Sequence, residues 1–433
     1  MLKTMRMIGI ITDAHFSITE PNGNTFTSCN KKLLGLAHLT RQMYSLLNVG
    51  VKTLYVEIDD TLAMQAVLAS INYIKKHTYY HNRDIQIVHS SNLKHIVPSY
   101  KNIILNGRYF VFHKELFEVL EESSYDLQIL QGSETKKFAG IVLTNKENFS
   151  QGISITKNDG NASIKTSIRN FKESCWHKLN SYGDLKVYRK KVERTIFKKY
   201  ESTLGLVSRK FSIPMTKYFF LKIRLTPNTI SFIALLFSAL AGFAYSQGGY
   251  NNMLIGAFLG LFSSWLDGCD GEVARYKFKS TPLGCWIETV CDYLYYVFVF
   301  FGLGLGIHRM YGRVAFVPTV IAISGMFLSM ILYLYLRKVM APKDRPEEFG
   351  RIFKEAVMTN KDKAIFKVAF LLEEFIKRST LPYIMFAFAL LNLNDVLFIT
   401  TSIGSNITWM LTLAVYTALR NLKKEAAIEL VND

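Results

Sequence analysis

Through the first 185 residues, apolar and polar positions alternate in short runs. Segments 7–12, 51–58, 85–89, 102–105 and 139–144 have strand length and are rich in Ile, Val and Leu. Between them, segments 31–48, 61–76 and 113–122 repeat apolar residues at helical spacing. Strands separated by helical patterns of about ten to fifteen residues predict an α/β domain on a mostly parallel sheet.

The pattern changes at residue 225. Apolar runs near twenty residues long follow one another, the length that crosses a bilayer. Six spans are predicted, at about 225–246, 252–276, 282–307, 313–335, 381–393 and 396–417. The fifth is short. Pro227 suits the first turn of the first span. The predicted organisation is a soluble domain at 1–185, a basic junction at 186–224, a membrane domain at 225–420 with an insert at about 337–380, and a tail at 421–433. Residues 1–13 read as a strand without a small-residue cleavage site, so no cleavable signal peptide is expected.

Charge then fixes orientation. The formal net charge is +18. Basic residues concentrate in the junction, which holds twelve Lys or Arg against two Glu, and in 275–279, 337–378 and 420–424. Segments 246–252 and 392–394 carry none; only Arg309 and Arg313 fall on their side. The positive-inside rule then gives a multi-pass protein of the cell inner membrane with both termini cytoplasmic. It accounts for the charge without nucleic acid. In the junction Ile196, Tyr200, Leu204 and Val207 recur at helical spacing among basic residues, the pattern of an interfacial helix on anionic lipid. Pro214 ends or kinks it. Cys29, Cys175, Cys269, Cys285 and Cys291 form no CxxC pair and read as reduced packing residues.

Ionisable groups inside apolar sequence mark function. Asp267 and Asp270 are three apart, with Ala274 a turn further on, and share a helix face. Glu288 and Asp292 are four apart and share another. Glu272 falls off the first face. A tight turn makes the two helices antiparallel neighbours, so the acidic faces meet near the cytoplasmic ends. Converging carboxylates need a cation, one or two. All-oxygen ligands favour Mg²⁺ or Mn²⁺ over zinc. Gly271 and Gly284 leave room for close approach, and Arg275 suits phosphate.

This spacing resembles the CDP-alcohol phosphotransferase (CDP-alcohol phosphatidyltransferase) family, whose signature is Asp-x2-Asp-Gly-x2-Ala-Arg-x8-Gly-x3-Asp-x3-Asp. Here it reads Asp267, Asp270, Gly271, Ala274, Arg275, Gly284, Glu288, Asp292, seven of eight positions with every spacing kept. The resemblance implies transfer of a phospho-alcohol from a CDP-alcohol to a hydroxyl acceptor, lipid or inositol phosphate, with release of CMP. It implies that Asp267, Asp270, Glu288 and Asp292 hold two cations and that Asp292 is also the general base. Gly271, Ala274, Arg275, Thr281 and Gly284 would form the CDP site, with Asn228 at its edge. Family members are often homodimers; the glycines at 256, 260, 302, 304 and 306 serve either subunit contact or internal packing. The departure is Glu288, where the family has aspartate.

The first domain resembles sugar- or inositol-phosphate nucleotidyltransferases at Asn30-Lys-Lys-Leu-Leu, at Asn102-Ile-Ile-Leu-Asn-Gly-Arg108 and at Trp176-His-Lys-Leu-Asn-Ser-Tyr-Gly-Asp-Leu. Each departs at the chemistry. The glycine-rich phosphate loop is replaced by Asp13-Ala-His-Phe-Ser-Ile-Thr-Glu, the metal aspartate by Arg108, and the closing aspartates by Lys178 and Asn180. The implied fold class is a Rossmann-type α/β nucleotidyltransferase-like domain, catalytically silent, followed by an all-α polytopic membrane domain. The order resembles fused inositol-phosphate cytidylyltransferase and di-inositol-phosphate phosphate synthase proteins. Alternative readings are an impaired CDP-alcohol-binding membrane protein and a cation-coupled transporter. The second would need acidic residues spread over more spans than these.

Overall fold

The computed structural model describes residues 7–432 apart from 20, 22, 29–31, 61–63, 77–79, 81, 112, 122–125, 162–165, 195–202, 224, 343–345, 361–362 and 370–378. The chain divides into two compact units. One is Met1–Phe197 with Tyr276–Lys279, the other Lys198–Arg275 with Ser280–Asp433.

In the first unit the strands are β1 (Met7–Thr12), β2 (Ser17–Thr19), β3 (Thr25–Thr27), β4 (Lys32–Leu33), β5 (Leu36–Ala37), β6 (Thr53–Glu57), β7 (Asp84–Val88), β8 (Lys101–Asn106), β9 (Tyr109–Val111), β10 (Leu127–Gly132), β11 (Phe138–Thr144), β12 (Ser167–Phe171) and β13 (Trp176–Lys178). The helices are α1 (His38–Asn48), α2 (Met64–Lys75), α3 (His113–Glu121), α4 (Phe149–Lys157) and α5 (Tyr182–Arg194). Seven strands form one sheet in the order β12-β10-β11-β8-β1-β6-β7. β1 is central, because Ile10 and Ile11 point to opposite faces and both are fully buried. It pairs in parallel with β6 and β8. Only β11 runs against its neighbours, β8 and β10. The sheet is therefore mostly parallel, with one reversed strand.

Two local expectations change. Helical periodicity over 31–48 is met only from His38 onward. Leu34 and Gly35 take left-handed φ of 52° and 82°, which makes a tight turn and pairs β4 with β5 ahead of the helix. Besides β4 and β5, the strands β2, β3, β9, β10, β12 and β13 are additions to the predicted ones. Their polar positions, as in Leu127-Gln-Ile-Leu-Gln-Gly132, hide a strand that pairs on both sides.

α1 carries an almost wholly buried set of residues, polar ones included. His38 is fully buried. Its Nε2 lies 3.0 Å from the Gly107 carbonyl and its Nδ1 3.2 Å from the Tyr188 hydroxyl. A carbonyl only accepts, so Nε2 carries the proton and Nδ1 accepts from Tyr188. Burial, with nearby Arg41, outweighs the Gly107 bond and lowers its pKa from 6.5 to about 4.

The second unit is helical: α6 (Thr203–Met215), α7 (Pro227–Ser246), α8 (Tyr250–Lys277), α9 (Pro282–Tyr311), α10 (Phe316–Met340), α11 (Phe349–Thr359), α12 (Leu381–Leu390) and α13 (Asn394–Asn432). Pro214 lies in the last turn of α6, and the backbone continues as a π-helical turn over Thr216–Phe220. A proline removes one helical donor, and a widened turn is a usual response. Of the interfacial pattern, Ile196 and Tyr200 fall outside the described residues.

Against six predicted spans, four helices among the described residues are long and apolar enough to cross a membrane: α7, α9, α10 and the part of α13 from Asn394 to Asn421. α8 has the length but carries Asp267, Asp270, Glu272 and Arg275 in its second half. α12 is apolar but only 10 residues long, about 15 Å of helix. α7 and α9 meet backbone to backbone. A Cβ on Gly302 would lie 2.0 Å from the Gly242 carbonyl oxygen, and one on Gly306 would lie 2.1 Å from that of Tyr245. Gly256, Gly260 and Gly304 likewise face Tyr245, Tyr295 and Thr319 of the same chain. These glycines serve internal packing.

Because the folded pKa of His38 lies below the unfolded value, its neutral form stabilises the fold above pH 6.5. That contribution is lost as pH falls from 6.5 towards 4. Thermal melts of the full chain across this range should show a loss on the order of 3 kcal/mol, and His38→Gln should flatten the slope. Equal slopes in the two proteins would refute the assignment.

Candidate functional site

The site is built where α7, α8 and α9 approach one another. α8 ends because Phe278 takes a left-handed φ of 50°, the usual helix stop, here without glycine. α9 begins with Thr281 as N-cap, its hydroxyl accepting from the Gly284 N–H at 2.9 Å, and Pro282 in the first turn. Four residues separate the helices.

Two contacts give their direction. A Cβ on Gly260 would stand 3.2 Å from the Tyr295 hydroxyl, and one on Gly306 would stand 2.8 Å from the Met253 side chain. Contacts that rise along one helix and fall along the other define an antiparallel pair. They span seven residues of α8 and eleven of α9. Asp267, Glu288 and Asp292 are each half-buried.

Asp270 is 3% exposed and accepts a hydrogen bond at Oδ2 from the Ser231 hydroxyl of α7. Ser231 and Asn228 stand on α7 because Thr226 caps its start and Pro227 fixes the first turn. Asn228 reaches Gly284, where an added Cβ would lie 3.2 Å from its Oδ1. Gly271 makes room for Arg275, whose guanidinium would lie 3.1 Å from a Cβ there. A bulkier residue at 271 would push the cation aside.

The structure thus brings Asn228, Ser231, Asp270, Thr281 and Gly284 to the contacts among α7, α8 and α9, and sets Gly271 and Arg275 against each other on α8. Thr281 and Gly284 are joined by the helix cap. Ala274 lies one turn beyond Asp270 on the same face of α8. Among the described residues, no three His, Cys, Asp or Glu side chains stand close enough to hold a metal ion as placed. The donor set still suits a hard divalent cation: oxygen only, four carboxylates, on two antiparallel helices.

Sequence reasoning missed Ser231, Arg337 and the partners of Glu272. Ser231 lies four residues after Pro227, one turn along α7, a spacing that could have flagged it. In the sequence Arg337 serves only as a topology marker. It is buried in the last turn of α10, donates to the Cys285 carbonyl at 3.0 Å and to the Thr289 hydroxyl, and stacks over Tyr333 and Trp286. It ties α10 to the turn of α9 that carries Glu288. Glu272 lies on the opposite face of α8 from Asp267 and Asp270, as its position in the helix requires.

In the first unit, Arg108 Nε donates to Asp13 Oδ2 at 2.6 Å, and its guanidinium lies over Phe16. Arg108, after β8, and Asp13, after β1, are thereby bound to each other. Lys178 pairs with Asp159. Glu57 is buried, pairs with Lys157 and accepts from the Asp13 N–H at 3.2 Å.

Comparison with known proteins now bears on this geometry. Residues 224–417 match the family model described as CDP-alcohol phosphatidyltransferase. The chain is 27% identical over 191 residues to the bifunctional IPC transferase and DIPP synthase of Aquifex aeolicus, covering 42% of this chain and 36% of that protein. The match thus spans about a third of that relative's length. Among solved structures, the Mycobacterium tuberculosis phosphatidylinositol phosphate synthase with CDP-DAG bound matches with a TM-score of 0.33 and 20% identity, covering 48% of this chain and 94% of that one. The inositol-1-phosphate CTP transferase from T. maritima matches with a TM-score of 0.32 and 14% identity, covering 43% and 95%. Likenesses this slight bear no weight for mechanism.

Ser231→Ala removes a donor from a buried carboxylate. Thermal stability of the detergent-solubilised chain should fall by about 1–3 kcal/mol. An unchanged melting temperature would mean that the Ser231–Asp270 bond does not form.

Proposed function

Residues 224–417 being a CDP-alcohol phosphatidyltransferase domain, we propose that the chain is a membrane transferase that moves a phospho-alcohol from a CDP-alcohol to a hydroxyl acceptor and releases CMP. What supports this is the family match over residues 224–417, together with the junction where Ser231 of α7 meets the buried Asp270 of α8 and Asn228 meets Gly284 of α9. In this reading all six predicted helices span the cell inner membrane, with both termini cytoplasmic, and the acceptor is a lipid or an inositol phosphate. The protein works as a homodimer.

Asp267, Asp270, Glu288 and Asp292 would hold Mg²⁺ or Mn²⁺, two ions when full. Bound there, the cations neutralise charge on the diphosphate and on the leaving CMP. The chain's own residues do the rest. Ser231 orients Asp270. Arg275, seated over Gly271, presents two N–H groups to a phosphate. Asn228 borders the nucleotide at Gly284. Asp292 takes the proton of the acceptor hydroxyl as its oxygen bonds to the phosphorus distal to cytidine and the P–O bond to CMP breaks. A placed carboxylate base contributes roughly 10² to 10⁴ in rate.

In the Rossmann-type first domain, Arg108 and Asp13 neutralise each other where a nucleotidyltransferase would hold metal and phosphates. We take this domain to be catalytically silent, so the CDP-alcohol comes from elsewhere. Two observations favour a second reading, binding without turnover: Glu288 stands where the family signature has aspartate, and no three carboxylates among the described residues gather as placed. CMP release distinguishes the two.

Purified chain given CDP-alcohols with Mg²⁺ or Mn²⁺ should release CMP. Asp292→Asn should lower the rate by about 10² or more, and Glu288→Asp should keep or raise it. Full turnover by the Asp292→Asn variant would overturn the role given to Asp292. The full chain given CTP, Mg²⁺ and sugar or inositol phosphates should release no pyrophosphate; release would restore the first domain as an enzyme.

A further inference from the structure

Glu272 lies within the motif turn of α8, yet it faces away from the carboxylates. Its side chain is fully buried. Oε1 accepts from Arg209 Nη1 at 2.7 Å and from the Ser212 hydroxyl at 2.5 Å, both on α6. Arg209 Nη1 also donates to the Gly268 carbonyl at 3.2 Å. The Cys269 thiol donates to the Ser212 carbonyl at 3.4 Å. Gly268 permits the approach, since a Cβ there would stand 3.3 Å from Ser212. One turn of α6 thus grips three residues of α8, 268, 269 and 272, interleaved with Asp267 and Asp270.

Holding two helices together does not require a buried ion pair. Apolar side chains of similar volume pack as well or better, because desolvating charge is costly. An ion pair with added hydrogen bonds supplies direction: it fixes how far α8 is turned about its own axis. That angle matters for the opposite face. A carboxylate stands about 5 Å from the helix axis, so a rotation of about 20° moves it by about 2 Å. Oxygen ligation of a divalent ion tolerates about 0.2 Å.

We propose that Arg209, Ser212 and Glu272 are positioning residues that set the rotation of the α8 motif turn, making the interfacial helix α6 part of the cation-binding apparatus. This rests on the cation-dependent reading above. It gives α6 a role beyond lying on lipid.

The test measures Mn²⁺ uptake by the full chain in detergent, without substrate, from the electron paramagnetic resonance signal of free Mn²⁺. The Arg209→Met/Glu272→Leu double variant leaves no buried charge unpaired and should fold with a cooperative melt. Its Mn²⁺ dissociation constant should rise about 10-fold or more, as when outer partners of metal ligands are removed. Arg209→Lys, which keeps the charge and a donor, should recover most of that loss. A folded double variant with unaltered Mn²⁺ affinity overturns the proposal and leaves the transferase reading standing. Failure of the unsubstituted chain to take up Mn²⁺ overturns the cation reading itself, and this inference with it.

Discussion

Everything around the motif depends on how closely α7 and α9 approach. Gly242 and Gly302 let the two backbones touch, and no side chain fits between them. That contact fixes the height of α7 against α9. Further down the helices, the same height puts Asn228 beside Gly284 and Ser231 under Asp270. In a helical bundle without such a contact, long apolar side chains would allow the helices to slide, and a polar junction needs a fixed register.

Polar groups at this depth are bound in pairs. Asp270 has Ser231, Glu272 has Arg209, and Arg337 has the Cys285 carbonyl and the Thr289 hydroxyl. Each bond joins one helix to another. The polar residues that lower the hydropathy of α8 are therefore also the ones that hold it in place. The first unit applies the same rule differently. There Arg108 and Asp13 pair at a partly exposed edge, where a surface ion pair contributes little to stability.

Much of this was legible in the sequence because the signals were periodic or fixed in spacing. Central strands such as β1 and β8 are buried on both faces and read as continuous apolar runs. The residues from Asp267 to Asp292 fall on two successive helices, as their spacing predicts. What was not legible depended on partners distant in sequence. Nothing in Leu127-Gln-Ile-Leu-Gln-Gly132 says that strands will lie on both sides of it. Ser231, Arg209 and Arg337 look ordinary until α8 and α9 are placed beside them. The hairpin at 32–37 was hidden because Leu34 adopts a left-handed backbone, a choice seldom made by a leucine. Of the six expected spans, four are helices long and apolar enough to cross a membrane among the described residues, and hydropathy alone passes over α8, whose polar half is held by another helix.

The turn between α8 and α9 has a consequence for how this protein can vary. Left-handed Phe278 stops one helix and Thr281 starts the next, with nothing spare between them. A residue inserted here would have to be absorbed between the left-handed stop of α8 and the cap of α9, which together set how one helix leaves the other. Related chains can therefore exchange side chains within this turn far more freely than they can change its length.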